Sequence, residues 1–311
     1  MGSTDAVARP AAPVTAEDAR ANGMAGEDLR RAARAGSLVR VRHGAYVPAA
    51  TWTAADEAER HRLRVHAAAR RLAMPVFSHE SAAALWRLPL LGGWPSDVHV
   101  LVRVDTGVTS TSGVRRHRVT EVPECEVCEG VAVTSVARTV VDLARTGSFA
   151  RGLVLADAGL RRAGVRREDL EEEMDAAGSG RGVRAARRVV VEADPAAESP
   201  GESLSRARMI ELDVARPILQ HEVRDPDGLV GRVDFFWGTA GVVGEFDGRM
   251  KYRADGVDDR RAVEDRVWTE KRREDRLRAA GFRVVRWTWR DALEPARLAR
   301  LLASAGLRTG A

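Results

Sequence analysis

Three acidic residues interrupt two strongly hydrophobic stretches in the C-terminal third of the 311-residue chain. Asp234 lies within GRVDFFW, and Glu245 and Asp247 lie within VVGEFDG, which begins a few residues further on. Both stretches have the composition of buried β-strands, and side chains two positions apart on a strand point to the same face. Burying carboxylates among valine, phenylalanine and tryptophan is costly unless a cation accompanies them. The pattern therefore predicts a metal site at one end of a β-sheet.

Such a site favours phosphodiester hydrolysis. Mg²⁺ prefers oxygen ligands and commonly takes a few carboxylates together with water. A bound cation of this kind polarises a phosphodiester and lowers the pKa of its water. We therefore assign Asp234, Glu245 and Asp247 as metal ligands and Mg²⁺, or Mn²⁺, as the cofactor. Two other interpretations stay open: Asp247-Gly248 as a simple turn, and Asp234 as the partner of a buried arginine such as Arg286.

The residues around these acids predict the element order α–β–β–β–α–β. The predicted elements are a helix beginning near Pro200, strands at 221–223, 229–237 and 242–246, a polar helix at about 259–280, and a strand at 282–289. Strands that are almost continuously apolar indicate a mixed sheet covered on both faces by helices. Glu202, in the first turn of the first helix, is a further candidate for the site. Its alternative role is an ion pair with Arg206, one helical turn away.

These residues resemble the very-short-patch-repair-like branch of the PD-(D/E)XK nuclease superfamily. The resemblance spans residues 200–292 and rests on Asp234, the motif EFDGRMKY at 245–252, and EDRL followed by AGFRVVR. It implies a restriction-endonuclease-like fold and metal-dependent DNA cleavage, with Glu202 matching an acid often supplied by the first helix. Asp247 stands where the superfamily usually has lysine, and Lys251 stands where this branch often has histidine. Lys251 is therefore the candidate for positioning water or stabilising charge on phosphate.

The N-terminal region predicts a winged helix-turn-helix. A helix at 26–35 precedes the alternating strand Leu38–Arg42, a two-residue turn at His43-Gly44 and a second strand at 45–47, which is a hairpin pattern. The helix fits the major groove, and the hairpin reaches backbone phosphates. The predicted DNA-binding residues are Arg30, Arg31 and Arg34 on the helix and Arg40 and Arg42 on the hairpin. A small domain whose arginines only solvate one face stays an alternative.

The segment VTAEDARANGMAGEDLRRAARAGSLVRVRHGAYV resembles the N-terminal domain of AbiEi-type antitoxins, a winged-helix family that represses its own operon. Residues 51–197 resemble the middle region of AbiEi-like proteins. The resemblance implies double-stranded DNA as a partner. It also implies a nucleotidyltransferase-type toxin encoded nearby as the operon partner, without implying direct contact.

The whole chain is therefore expected to be an α/β (α+β) multidomain protein. The predicted parts are a disordered leader at 1–14, the winged helix-turn-helix at 15–50, an α/β middle domain at 51–197, and the restriction-endonuclease-like domain at 198–311. Residues 51–197 contain no evident active site: His79 and Glu80 are expected to cap a helix. Cys125 and Cys128, the only cysteines, are expected to be ordinary residues of a strand or turn.

The distribution of charge in the C-terminal region also favours nucleic-acid binding. The net charge is +5, and nearly all basic residues are arginine, since Lys251 and Lys271 are the only lysines. Between Arg249 and Arg290, 14 basic residues face 8 acidic ones, an excess that favours phosphate attraction. No stretch approaches the ~20 apolar residues of a membrane span. The first residues lack a signal-peptide pattern, so a cytoplasmic protein without membrane contact is expected.

Two functions follow from these features. The leading one is a DNA-binding protein with a Mg²⁺-dependent DNA endonuclease domain. The alternative is an AbiEi-type antitoxin, a transcriptional autorepressor of a toxin–antitoxin or phage-defence operon, with a non-cleaving C-terminal domain. RNA as the substrate stays open.

Overall fold

A computed structural model describes residues 13–15, 18, 25–162, 164–248 and 260–308, with only the backbone for residues 260–267. The chain divides into two compact units. The first unit comprises Met1–Thr146 and Glu168–Gly180, and the second comprises Gly147–Arg167 and Arg181–Ala311. Both combine helices with β-sheets, which confirms the multidomain α/β (α+β) class. In the described ranges, no helix is long and apolar enough to cross a membrane. The domain boundaries expected at 14, 50 and 197 stay predictions.

The first unit contains two sheets. Its elements are β1 (Val14–Thr15), α1 (Gly26–Arg34), β2 (Leu38–Arg42), β3 (Ala45–Pro48), α2 (Ala49–Ala54), α3 (Glu57–Ala69), β4 (Val76–Phe77), α4 (His79–Leu85), β5 (Val98–Arg103), β6 (Val114–Val119), β7 (Cys125–Cys128), β8 (Val131–Thr134), α5 (Val136–Thr146) and, from its second residue, α7 (Arg167–Ala176). One sheet has the strand order β1-β3-β2, and the other has the order β6-β5-β4-β8-β7.

The helix–hairpin segment, α1 with β2 and β3, has the form predicted from the sequence. Strands β2 and β3 pair antiparallel. Gly44 in their turn has a φ of +70°, a conformation that glycine adopts without strain. Leu29 of α1 and Tyr46 of β3 form the buried contact between helix and sheet. The capping-box pattern of residues 15–18 also predicts a short helix that stops at residues 22–23, and apart from residue 18 that helix lies outside the described residues.

The five-stranded sheet contains one hairpin that the sequence analysis missed. Strands β5 and β6 are parallel neighbours, with Val98 opposite Val114, and their alternating sequences predict strands at 98–104 and 114–118. Strands β7 and β8 form the missed hairpin, whose turn at Glu129-Gly130 has positive φ at both residues. Glutamate is unusual in that conformation, so the turn has no clear sequence signal. Both cysteines lie in β7 as free thiols, which confirms their expected place in a strand.

The second unit is built on one mixed sheet. Its elements are α6 (Phe149–Leu160), α8 (Val183–Glu192), α9 (Pro200–Glu211), β9 (Ile218–Asp225), β10 (Gly228–Trp237), β11 (Val242–Asp247), α10 (Arg260–Ala279), β12 (Arg283–Thr288), α11 (Trp289–Leu293) and α12 (Pro295–Ser304). The strand order is β12-β11-β10-β9. Strands β9, β10 and β11 are antiparallel, and β11 and β12 are parallel. From α9 to β12 the predicted element order is confirmed.

Helices cover both faces of this sheet. On one face, Leu277 of α10 packs with Val233 and Val243. On the other face, the indole of Trp287 donates a hydrogen bond of 2.7 Å to Ser205 of α9. Helix α9 approaches the sheet so closely that a Cβ atom on Gly201 would lie 1.9 Å from Cε1 of Phe246. Glycine at this position therefore allows the close packing.

Candidate functional site

The predicted metal-binding acids line one cleft of the second unit. The cleft has a volume of about 340 Å³ and is lined by Arg232, Asp234, Glu245, Phe246, Asp247, Glu270, Arg273 and Arg286. The last residue pair toward this end of the β10–β11 ladder is Phe235 with Gly244. Just beyond it, Oδ2 of Asp234 accepts the backbone N–H of Phe246 at 2.8 Å. The Asp234 side chain thus takes the place of the next backbone hydrogen bond of the ladder. Asp234 therefore lies beside the end of β11 that carries Glu245 and Asp247.

Glu202 is connected to Asp234 through an amide. Gln220 Nε2 lies 2.9 Å from Oε2 of Glu202 and 3.5 Å from Oδ1 of Asp234. Burial raises the pKa of Asp234, and the charge of Glu202 raises it further, while the N–H of Phe246 lowers it. The charge of Glu202 therefore acts on Asp234, although Glu202 itself does not line the cleft. No local sequence pattern predicts Gln220 in the site, because its position depends on the register of β9 with β10.

The alternative partner proposed for Glu202 lies elsewhere. Arg206 donates to Asp157 of α6 at 2.6 Å, and both side chains are buried. Burial raises the pKa of Asp157, and the charge of Arg206 opposes that shift. This ion pair joins α6 to α9 inside the second unit.

Glu245 faces two arginines. Nη2 of Arg273 lies 2.6 Å from Oε1 of Glu245, and Nη2 of Arg286 lies 3.0 Å from Oε2. Arg286 also contacts Glu270. Arg286 therefore neutralises Glu245 and Glu270, and it is not the partner of Asp234. The contact with Arg273 lacks hydrogen-bond geometry, and Oε1 of Glu245 is buried without a hydrogen-bond donor. The sequence does not predict Arg273 in the site, because no local pattern distinguishes it from the other charged residues of the polar helix α10.

Asp234 and Glu245 are the residues of the cleft that could hold a divalent cation. Within the described residues, no three His, Cys, Asp or Glu side chains are grouped as a metal site. Mg²⁺ is often held by only one or two carboxylates together with water and substrate phosphate. Asp234 and Glu245 are the candidates for such a pair, although both oxygens of Glu245 already lie within 3.0 Å of an arginine, which a cation would have to displace. Asp247 is exposed at the end of β11, and Lys251 lies outside the described residues.

The helix arginines of the N-terminal segment are exposed and paired with nearby acids. Arg30 and Arg34 contact Glu27 at 2.6 and 2.9 Å, and Arg31 contacts Asp28 at 3.4 Å. Exposed pairs of this kind contribute little to stability. A phosphate can therefore replace the acidic partner at small cost.

The two hairpin arginines differ from each other. Arg40 is exposed, and its Nη2 atom lies 2.8 Å from Nδ1 of His43 in the turn. Arg42 is partly buried and donates from Nη1 to the carbonyl oxygen of Gly113 at 2.9 Å. Burial lowers the pKa of Arg42, and the nearby Arg116 lowers it further. Of the two, Arg40 is the one placed to meet an external phosphate.

Fold and site together describe a multidomain α/β protein with an arginine-bearing helix–hairpin segment and an acidic cleft. Residues 12–49 match the family described as "Transcriptional regulator, AbiEi antitoxin". This match supports a DNA-binding regulatory role for the N-terminal segment and agrees with the resemblance noted there. It does not extend to the acidic cleft, and the nuclease resemblance of residues 200–292 stays a prediction.

Two curated relatives come from Mycobacterium tuberculosis. They are "Uncharacterized protein MT2308" of strain CDC 1551 / Oshkosh and "Uncharacterized protein Rv2248" of strain ATCC 25618 / H37Rv. Each is 34% identical to this chain over 118 residues, which cover 38% of the chain and 44% of the relative. The similarity thus spans less than half the length of either relative.

Proposed function

We propose that the protein is a DNA-binding transcriptional regulator whose helix–hairpin segment contacts duplex DNA. The observation that carries this proposal is the exposure of the α1 arginines and Arg40 on the segment that matches the AbiEi family. The α1 arginines have only weakly held acidic partners, so DNA phosphates can take their place. We extend the proposal to repression of the protein's own operon. The operon partner would be a nucleotidyltransferase-type toxin encoded nearby.

Binding of the full chain to two duplexes tests this function. One duplex carries the sequence upstream of the protein's own gene, and the other carries the same bases in shuffled order. We expect tighter binding to the first duplex, and a salt dependence that reports several phosphate contacts at about 0.9 log units of affinity per log unit of salt each. Equal affinity for both duplexes would leave a DNA-binding protein that does not regulate this operon. Absence of binding would remove the DNA-binding function.

We also propose a second function, metal-dependent cleavage of nucleic acid in the acidic cleft. The specific observation that favours it is that Asp234 and Glu245 line the same cleft and that Oε1 of Glu245 is buried there without a well-aligned hydrogen-bond donor. A divalent cation held by these two carboxylates would polarise the scissile phosphate and lower the pKa of an attacking water. Arg232, Arg273 and Arg286 line the same cleft and supply positive charge toward a bound phosphate.

Supercoiled plasmid with Mg²⁺ or Mn²⁺ tests cleavage by the full chain. We expect nicking by the wild type and its loss in Asp234→Asn and Glu245→Ala. The matched control is Glu222→Gln, which changes an exposed glutamate on β9 of the same sheet. A metal-dependent rise in melting temperature, absent in Glu245→Ala, reports binding independently of cleavage. An intact plasmid together with an unchanged melting temperature would favour the non-cleaving regulator.

A further inference from the structure

A second cleft, in the first unit, is larger and more basic than the acidic one. Its volume is about 680 Å³, and its lining includes five arginines and two aspartates: Arg115, Arg116, Arg118, Arg138, Arg145, Asp97 and Asp142. The excess of positive charge favours an anionic ligand. Arg115 and Arg118 project from β6 and are exposed, so they are accessible to a ligand from solvent.

The inner wall of this cleft is a pair of stacked histidines. The rings of His79 and His117 lie 3.6 Å apart with an interplanar angle of 12°. Burial lowers the pKa of His79 to about 2 and that of His117 to about 4, so both rings are neutral near pH 7. The sequence predicted a capping role for His79 and Glu80. Helix α4 does begin at His79, but the Ser78 side chain makes no capping hydrogen bond, and Glu80 contacts His99 at 2.7 Å.

An unsatisfied carboxylate oxygen lies at the base of the same cleft. Asp142 is 5% exposed, and its Oδ1 atom accepts from Nε of Arg138 at 3.1 Å. Its Oδ2 atom is buried without a hydrogen-bond donor and lies 4.0 Å from Nδ1 of His79. His79 has a φ of +49°, a strained conformation for a residue with a side chain. Strained backbone conformations cluster at functional sites, and a buried oxygen without a donor is rare enough to call for a partner.

We propose that this cleft binds a small phosphorylated ligand of the nucleotide class. The arginines of β6 would hold the phosphates, and Oδ2 of Asp142 would accept a hydrogen bond from a hydroxyl or amino group of the ligand. The positive charge alone would suit any polyanion. The buried Oδ2 of Asp142 has no donor. It therefore favours a compact ligand that carries both phosphates and a hydrogen-bond donor, rather than a duplex contacted along its backbone.

Calorimetric titration of the full chain with ADP, GDP, adenosine and pyrophosphate tests this site. We expect one nucleoside diphosphate to bind with 1:1 stoichiometry, pyrophosphate to bind more weakly, and adenosine not to bind. Arg115→Gln and Arg118→Gln should each weaken diphosphate binding at least about tenfold. The matched control, Arg103→Gln, changes an exposed arginine at the end of the neighbouring strand β5 and should bind like the wild type.

Asp142→Asn tests the contribution of the buried carboxylate separately from that of the arginines. It should weaken the nucleoside diphosphate more than it weakens pyrophosphate, because only the former carries the donor group. If this variant fails to fold, the two arginine variants decide, since they change exposed side chains. The proposal is overturned if none of the four probes binds at millimolar concentration, or if binding is unchanged in both arginine variants. It is also overturned if these variants lose duplex DNA binding while no small phosphate binds the wild type.

Discussion

At the scale of single residues, burial of neutral histidine is a recurring feature of the first unit. His61 is fully buried, with Nδ1 2.9 Å from the carbonyl oxygen of Pro95 and Nε2 3.1 Å from Oγ of Ser81. A carbonyl oxygen only accepts, so Nδ1 carries the proton and Nε2 accepts from Ser81. Ser81 in turn accepts the N–H of His99 at 2.8 Å. A neutral ring satisfies all of these hydrogen bonds.

We therefore expect His61 to make the protein less stable in mild acid. Burial lowers its pKa from 6.5 to about 4. Its contribution is complete above pH 6.5 and is lost as the pH falls from 6.5 to 4, at about 1.4 kcal/mol per pH unit. Urea unfolding measured between pH 7 and pH 5 should show a smaller decline for His61→Leu than for the wild type, although the variant is less stable at pH 7. The exposed His43, changed to Gln, should keep the wild-type decline, and an equal decline in His61→Leu would contradict the assignment.

At the scale of elements, the hairpin gives its two arginines different roles. Arg40→Ala should flatten the salt dependence of DNA binding by about one phosphate equivalent, because its guanidinium is exposed. Arg42→Ala should instead lower the free energy of unfolding by about 1 kcal/mol, because it loses the hydrogen bond to Gly113. Fluorescence anisotropy at several salt concentrations and urea unfolding measure the two effects. Each variant is the control for the other, and the reverse pattern would show that the roles are exchanged.

The contact between α9 and β11 depends on the absence of a side chain. Gly201→Ala would place a methyl group against the ring of Phe246, which must then move. We expect a loss of about 1–3 kcal/mol in the free energy of unfolding, as for other overpacked sites. Gly93→Ala is a matched control, since a Cβ atom there meets nothing within 4 Å. Near-UV circular dichroism and urea unfolding report the change, and equal stability of the two variants would show that Phe246 moves without cost.

Some of these elements and site residues can be predicted from local sequence patterns, and others cannot. The hairpin and the acids within β10 and β11 were predictable, because alternation and interrupted hydrophobic runs are local patterns. Gln220 and Arg273 were not, because they enter the cleft through strand register and helix packing that no local pattern encodes. The stacked histidines were missed for the same reason, since β6 brings His117 to a ring nearly forty positions earlier in the chain.

At the scale of the whole molecule, each of the two units is built from two separate segments of the chain. Residues 147–167 belong to the second unit, although the sequence placed them in a middle domain that ends at 197. Helices α6 and α9 of the second unit share the buried pair Asp157–Arg206. A fragment that begins at residue 198 would keep Arg206 and lose its carboxylate partner.

We therefore expect a fragment of residues 198–311 to be less stable than one of residues 147–311. The shorter fragment lacks α6, so the surface of α9 around Arg206 that α6 covers becomes exposed, and each Å² of apolar surface returned to water costs about 25 cal/mol. Solubility and the cooperativity of urea unfolding compare the two fragments. Equal stability of the two fragments would place the boundary at 197 as the sequence predicted.

The discontinuous path of the first unit also sets an order of events during synthesis. The helix–hairpin segment ends at Pro48, whereas Leu170 and Met174 of α7, which are buried, are made more than a hundred residues later. At about 5–20 residues per second, the ribosome takes on the order of ten seconds to cover that interval. For that time the growing chain carries the helix–hairpin without α7, and the part of the first unit that Leu170 and Met174 cover in the finished protein is exposed.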